Sequence, residues 1–93
     1  MTEYIDIRVV PTADPDVMRL VTNLDLTPEG SPEVYDSSDQ GDQGSPLAQA
    51  LFGVPGLAAL TLDGHMLWIT RASGVEWHSL IEDVSDALRD FYL

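Results

Sequence analysis

The chain has 93 residues, which is enough for one domain with a single hydrophobic core and too few for two. It contains no cysteine, which excludes disulfides, thiolate metal sites and cysteine nucleophiles. Sixteen acidic residues against four arginines give a formal charge of −12, which argues against nucleic acid or an anionic membrane as the partner. No apolar run is long enough to span a membrane, and residues 1–10 lack the blocks of a signal peptide. We therefore expect a soluble, cytoplasmic monomer.

Two strands are predicted at the start of the chain. Apolar and polar residues alternate from Tyr4 to Val10, which is typical of a half-buried strand. A second run with strand character extends from Val17 to Thr22. The residues between them, 11–16, are types that favour turns. The two strands are expected to pair as an antiparallel hairpin.

A polar middle segment, residues 23–44, follows this hairpin. It carries six acidic residues and no basic one, and Pro28, Gly30 and Pro32 interrupt any regular element. Val34 and Tyr35 are predicted to form a short third strand. Residues 36–44 (DSSDQGDQG) are predicted to be a flexible, solvated acidic loop.

A capped helix is predicted from Pro46 onwards. Ser45 is a good N-cap, because its hydroxyl can accept from amides of the first turn, and proline is favoured at the first helical position. Gly53 is expected to adopt the left-handed conformation that ends the helix, and Pro55 prevents its continuation. The predicted apolar stripe is Leu47, Ala50, Leu51 and Val54.

A β-hairpin follows, with Asp63-Gly64 as a two-residue type I′ turn. This turn places Leu62 opposite His65. The core face is then Ala58, Leu60, Leu62, Leu67 and Ile69, and the other face is Leu57, Ala59, Thr61, Met66, Trp68 and Thr70. Met66 and Trp68 lie on the side away from the helices. Two interpretations stay open: the loop or the N-terminal segment covers them, or they form a contact patch for a partner.

A second helix is predicted over residues 76–93, where apolar residues from Trp77 to Phe91 recur at helical spacing. The resulting order is β-β-(β)-α-β-β-α. It predicts a single α+β domain over residues 1–93, with a two-layer architecture. We expect a largely antiparallel sheet of four to five strands with two helices on one face.

The residues indicate little catalytic chemistry. No nucleotide-binding glycine motif, P-loop or nucleophile pattern occurs, so no catalytic residue is predicted. Residues 36–47 resemble a calcium loop only in the position of one glycine, because Leu47 stands where the bidentate Glu is required. Weak iron or divalent-metal binding by carboxylates remains an alternative. Its candidate ligands are Asp36, Asp39, Asp42 and His65.

Four segments of the chain form a recognisable set. Residues 12–20 (TADPDVMRL) have a Thr, a Pro and a basic residue, followed by the capped helix and turn at 45–57 (SPLAQALFGVPGL). The hairpin then ends in LWITR at 67–71, and Glu76-Trp77 opens the last helix with Leu80 three positions on. Over about 80 residues from Thr12, this set resembles the N-terminal domain of Nfu/NifU-type iron–sulfur scaffold proteins. The first segment departs from the family's TPNPN by Ala13 in place of Pro and by Asp14 and Asp16 in place of Asn.

The resemblance implies an accessory role. In family members cluster assembly uses a C-x-x-C pair in a separate C-terminal domain, whereas this sequence has no cysteine. It therefore implies a non-catalytic protein-interaction module in iron–sulfur cluster biogenesis, without a cofactor, whose partner is an assembly or recipient protein. The candidate interaction residues are Met66, Trp68, Thr12, Asp14, Asp16 and Arg19. An enzyme that uses Asp14 and Asp16 of the 12–19 segment is a further alternative.

Overall fold

A computed structural model of the chain describes residues 5–92. Five strands form one antiparallel sheet in the order β1-β2-β5-β4-β3. The strands are β1 (Ile7–Pro11), β2 (Val17–Thr22), β3 (Glu33–Tyr35), β4 (Leu57–Asp63) and β5 (Met66–Arg71). The helices are α1 (Ser38–Asp42), α2 (Pro46–Phe52) and α3 (Trp77–Tyr92). The predicted α+β class is confirmed. The sheet has five strands, within the expected four to five, and there are three helices where two were expected.

The N-terminal hairpin forms as predicted, with antiparallel pairing of β1 and β2. Within the described residues β1 starts at Ile7, and Tyr4 lies outside them. Pro11 is the last residue of β1 and is paired with Met18. Because β1 is an edge strand of the sheet, the proline that lacks an N–H is tolerated there.

Residues 36–44 were predicted to be a loop, and that prediction is wrong because α1 forms there. Ser37 is the N-cap, and its hydroxyl accepts from the Gln40 amide at 3.3 Å. The Gln40 side chain reaches back and accepts from the Asp36 amide at 2.8 Å. This exchange is close to a capping box, whose S-x-x-Q pattern is present at 37–40. Gly41 then lets α1 pack closely on Phe52 of α2.

The Ser45 cap and the Pro46 start of α2 are confirmed, since the Ala48 amide donates to the Ser45 hydroxyl at 3.3 Å. Two details were wrong. Gly53 has a right-handed φ of −69°, and the positive φ of 94° occurs at Gly56. The buried face also differs from the predicted stripe, because Ala48 is buried and Ala50 is exposed, whereas Leu47, Leu51 and Val54 are buried as predicted.

The β4–β5 hairpin has a different register from the predicted one. Asp63 pairs with Met66 and Leu62 with Leu67, so the loop residues are Gly64 and His65. Among the residues described here, positive φ occurs only at glycines, so His65 cannot supply the second positive φ of a type I′ turn. The φ signs match a type II′ turn instead. The shift is by two residues, so the side chains from Ala59 to Thr70 stay on their predicted faces.

A β-bulge in β4 corrects one further assignment. Leu57 is paired with Arg71 and Ala59 with Thr70, so Ala58 is the extra residue of the bulge. The prediction placed Ala58 on the core face and Leu57 on the other. Because the bulge interrupts the alternation, Leu57 turns into the core and is only 7% exposed.

The core lies between one face of the sheet and helices α2 and α3. α3 contributes Leu80, Val84 and Leu88. The polar middle segment also contributes, because Leu26 is 2% exposed and its amide donates to the Gly64 carbonyl at 2.8 Å. No helix in residues 5–92 has both the length and the apolarity needed to cross a bilayer. The buried apolar residues are Leu20, Leu26, Leu47, Ala48, Leu51, Val54, Leu57, Leu60, Leu62, Leu67, Ile69, Leu80, Val84 and Leu88.

Candidate functional site

The side of the sheet away from the core is the candidate site, and we call it the open face. Successive side chains of a strand point to opposite sides of the sheet, so the strand residues next to core residues belong to the open face. Each strand contributes to it. The open face consists of Arg8, Val10, Val17, Arg19, Val21, Val34, Ala59, Thr61, Asp63, Met66, Trp68 and Thr70.

One row of the open face crosses all five strands. Val10 is opposite Arg19, Arg19 is opposite Trp68, Trp68 is opposite Thr61, and Thr61 is opposite Val34. Directly opposed residues of this kind have side chains in contact range. The row is therefore a continuous strip, with the arginine and the tryptophan near its centre and an aliphatic side chain at each end.

The open face is half-buried rather than buried. Trp68, Met66 and Arg19 all keep part of their surface accessible, and Val34 at the edge is 60% exposed. The corresponding core residues of the same strands, such as Leu67 and Ile69, are 0% exposed. Helix α1 does not cover the open face, because it packs against Phe52 on the core side.

Arg19 lies in the middle part of this surface, opposite Val10 and Trp68. In the part of the chain that the structure describes, its buried Nε has no hydrogen-bond partner. Arg71 and Arg89 form ion pairs with Asp16 and Asp86, whereas Arg8 and Arg19 form none with residues 5–92. A buried donor without an acceptor costs free energy, so the arginine is held on this face at some cost to the stability of the fold.

The predicted interaction residues fall into two groups. Arg19, Trp68 and Met66 lie together on the open face, with Arg19 directly opposite Trp68. Thr12 and Asp14 instead shape the β1–β2 turn. The Thr12 hydroxyl donates to the Val17 carbonyl at 2.8 Å, and the Asp14 carboxylate accepts from the Asp16 amide at 2.9 Å.

Asp16 belongs to a separate polar cluster at the end of the sheet. Its carboxylate accepts from Arg71 Nε at 3.0 Å, and the Arg71 guanidinium lies 5.3 Å from the centre of the Trp77 ring. The Trp77 indole N–H in turn donates to the Pro15 carbonyl at 2.9 Å. These contacts tie the β1–β2 turn to the start of α3. They give the family-like 12–16 segment a structural role, with its polar atoms largely engaged.

The metal candidates are not brought together. No group of three or more His, Asp or Glu side chains within residues 5–92 has the arrangement to hold a metal ion. Asp39 and Asp42 lie on α1, whereas His65 lies in the β4–β5 turn, where its Nδ1 is 2.6 Å from the Leu24 carbonyl oxygen. Weak metal binding stays an untested prediction without geometric support.

A half-open groove of about 560 Å³ lies between the polar middle segment and the end of α3. Tyr35 hydrogen-bonds Glu33 there, and the Ser45 amide donates to the Tyr35 hydroxyl at 3.2 Å. Burial raises the pKa of the nearby Tyr92 phenol, with smaller contributions from the charges of Asp25 and Glu33. The groove is therefore a negative environment, and the Tyr35 hydroxyl is engaged on both sides.

Arg8 and Val34 are open-face residues that the sequence did not single out. Each lies beside a predicted core or strand position, and alternation alone would have placed them once the strand pairing was known. The missing information was the pairing of β2 with β5. That pairing joins segments far apart in sequence and has no local signal.

Comparisons with known proteins agree with this description. A family model described as "Scaffold protein Nfu/NifU N terminal" matches residues 7–93. A Drosophila ananassae protein named "NFU1 iron-sulfur cluster scaffold homolog, mitochondrial" is 26% identical over 86 residues. The match covers 92% of this chain but only 30% of that protein's length. That name places the relative in mitochondria, so the cytoplasmic location of this chain stays an untested prediction.

Solved structures with the same fold also exist. The NifU-like protein from Saccharomyces cerevisiae superposes with a TM-score of 0.78 at 23% identity, over 97% of this chain and 82% of that one. Protein SAV1430 from Staphylococcus aureus gives a TM-score of 0.71 at 12% identity, over 88% of this chain and 96% of that one. At these identities the likeness shows the fold alone.

Proposed function

The chain belongs to the family of Nfu/NifU scaffold N-terminal domains, and on that premise we propose that it is a non-catalytic accessory module of iron–sulfur cluster biogenesis. It acts by binding a protein partner through the open face. The partner is a cluster assembly protein or a protein that receives a cluster. These 93 residues contain no cysteine, so they offer no thiolate ligand to a cluster.

The open face is the observation that carries the proposal. It places a tryptophan, a methionine and an arginine with an unsatisfied Nε on one side of a sheet whose other side already supplies the core. Tryptophan, methionine and arginine are the residue types enriched in protein interfaces. Folding alone does not require these residue types at positions that stay half-exposed.

The accessory role is also supported by the arrangement of polar groups. The carboxylates of the 12–16 segment are engaged in turn formation and in the ion pair with Arg71. An enzyme that uses Asp14 and Asp16 would need them in a pocket with a substrate. Asp14 lies on an exposed turn, and Asp16, which borders a half-open cavity with Arg71, is engaged in the ion pair with that arginine. This arrangement supports binding rather than catalysis.

Co-purification from the source cell tests the proposal. We expect the tagged chain to capture an iron–sulfur assembly or recipient protein, identified by mass spectrometry. Trp68→Ala should reduce that capture at least fivefold. Phe91→Ala is the matched control, because Phe91 is a large apolar residue that is 43% exposed but lies on α3. Circular dichroism of both variants should show the native fold.

Two results would contradict the proposal. One is that no iron–sulfur protein is captured while a deletion strain keeps normal activities of its iron–sulfur enzymes. The other is that Phe91→Ala reduces capture as strongly as Trp68→Ala. In that case an interaction would exist, but the open face would not carry it.

A further inference from the structure

The charge of the open face is opposite to that of the whole chain. The chain has sixteen acidic residues and four arginines. The open face holds two of those arginines, Arg8 and Arg19, and a single acidic residue, Asp63, at the end of β4. A surface that is positive and apolar within such an acidic protein selects a partner surface that is apolar and negative.

The two arginines lie close enough to act together. Arg8 is opposite Val21 and Arg19 is opposite Val10, so they are diagonal neighbours on adjacent strands. Diagonal neighbours of an antiparallel pair are about 7–8 Å apart. Neither is paired with a carboxylate within residues 5–92, and Arg19 Nε is buried without an acceptor. An incoming pair of carboxylates would supply the two arginines with the counter-charges that they lack within residues 5–92.

The shape of the surface favours a helix as the occupant. A sheet face can be covered by helices packed on it, and α2 and α3 cover the opposite face. Five strands about 4.8 Å apart are about 19 Å wide, which a helix of about 13 residues spans. Carboxylates four residues apart on such a helix are about 6 Å apart, which matches the arginine spacing.

We infer that the partner docks an amphipathic helix on the open face, with carboxylates within its apolar stripe that pair with Arg19 and Arg8. This inference rests on the proposed function and specifies the chemistry of the partner at that surface. A second copy of the chain is a poorer occupant. Two open faces stacked together would bring four arginines against two copies of Asp63, between molecules that each carry a formal charge of −12.

Three defined peptides test the inference. Each is a 16-residue helix, stapled on its outer side, with a leucine stripe and two variable stripe positions four residues apart. These positions are Glu in the first peptide, Gln in the second and Lys in the third. Binding to the ¹⁵N-labelled full chain is followed by NMR at 0.15 M salt. The global charge predicts tightest binding of the Lys peptide, whereas the inference predicts the Glu peptide at least fivefold tighter than Gln.

Variants locate the effect. Arg19→Gln should weaken the Glu peptide about five- to tenfold and leave the Gln peptide unchanged. Arg89→Gln is the matched control, because it removes the same charge from α3, where Arg89 is paired with Asp86. It should leave both affinities unchanged. The shifted amides should belong to β2 and β5.

Several outcomes would overturn the inference. These are a Lys peptide that binds as tightly as the Glu peptide, an Arg19→Gln variant that binds like the wild type, or shifts confined to the helices. A concentration-dependent dimer that Trp68→Ala dissolves would assign the open face to a second copy. If the captured partner depends on Trp68 but not on Arg19, the proposed function stands and this inference fails. If the Glu peptide binds as expected but no iron–sulfur protein is captured, this inference stands and the proposed function fails.

Discussion

On one side of the sheet Leu67 is completely buried, while on the other side its chain neighbours Met66 and Trp68 keep part of their surface in water. The same strands build both faces by alternation. The core face carries aliphatic side chains packed under α2 and α3, and the open face mixes aromatic, small and cationic ones. The difference indicates that stability is concentrated on the core face, whereas the open face is the surface that we propose for binding a partner.

The largest expected difference between the faces is in stability. Leu67→Ala removes a 0% exposed side chain that lies between Leu20 and Leu62, and it should lower the free energy of unfolding by about 2–5 kcal/mol. Met66→Ala, one residue away on the open face, should lower it by about 1 kcal/mol or less. Urea unfolding followed by circular dichroism measures both. Equal losses would contradict the distinction between the two faces.

The second prediction concerns how α1 joins the core side. A Cβ on Gly41 would lie 2.0 Å from Cδ2 of the Phe52 ring, so Gly41→Ala should destabilise the protein by about 1–3 kcal/mol. In a mobile loop the same change would be neutral or stabilising by about 0.4–1 kcal/mol. Chemical denaturation shows whether Gly41→Ala lowers or raises the free energy of unfolding. In a Phe52→Ala background, Gly41→Ala should lower the free energy of unfolding by less than it does in the wild type. If the two losses simply add in the double variant, residues 41 and 52 do not interact.

A smaller effect of opposite sign is expected on the open face. Arg19→Met keeps the apolar stem and removes a buried donor that has no acceptor within residues 5–92. The free energy of unfolding should stay the same or rise by about 1 kcal/mol, because an unsatisfied buried group costs free energy. Arg89→Met is the control and should change it by no more than about 0.5 kcal/mol. A marked loss of stability with Arg19→Met would show that Arg19 supports the fold.

The smallest effect is a dependence on alkaline pH at the end of α3. Burial raises the pKa of Tyr92 above its ordinary 10.0, so the folded protein holds the phenol proton more tightly than the unfolded chain does. The resulting stability is complete below that ordinary pKa and is lost as the pH rises through the folded one. Urea midpoints of the wild type and of Tyr92→Phe should run parallel from pH 7 to pH 9. Above pH 10 the wild type should fall relative to the variant; parallel curves there would contradict the shift.

The sequence predicted those parts of the fold that have local causes. The Ser45 cap, the pairing of β1 with β2 and the buried stripe of α3 follow from residue type and period. The turn register was wrong because Gly64 can be either the second loop residue, after Asp63, or the first loop residue, before His65. Only the pairing of Asp63 with Met66 across the strands shows which of the two turns forms. Helix α1 was missed although Ser37 and Gln40 have capping-box spacing, because the acidic composition of the segment suggested a loop.

The candidate site was predicted only in part. Trp68 and Met66 were placed on the open side by alternation, which the register shift of two residues left intact. Arg19 came from the family resemblance, and its position opposite Trp68 depends on the β2–β5 pairing. Thr12, Asp14 and Asp16 also came from the resemblance. Their hydrogen bonds give these residues a structural role in the β1–β2 turn.

The strand order has a consequence for how the chain folds during synthesis. Strand β2 lies beside β5, so Val17 pairs with Thr70, and the N-terminal hairpin reaches the rest of the sheet only through that contact. An isolated two-stranded hairpin is marginally stable at best, and distant pairings form slowly. On the ribosome the β1–β2 hairpin therefore has no further strand to pair with until β5 has been synthesised. We therefore expect the pairing of β2 with β5 to form late, and it joins the two hairpins into one sheet.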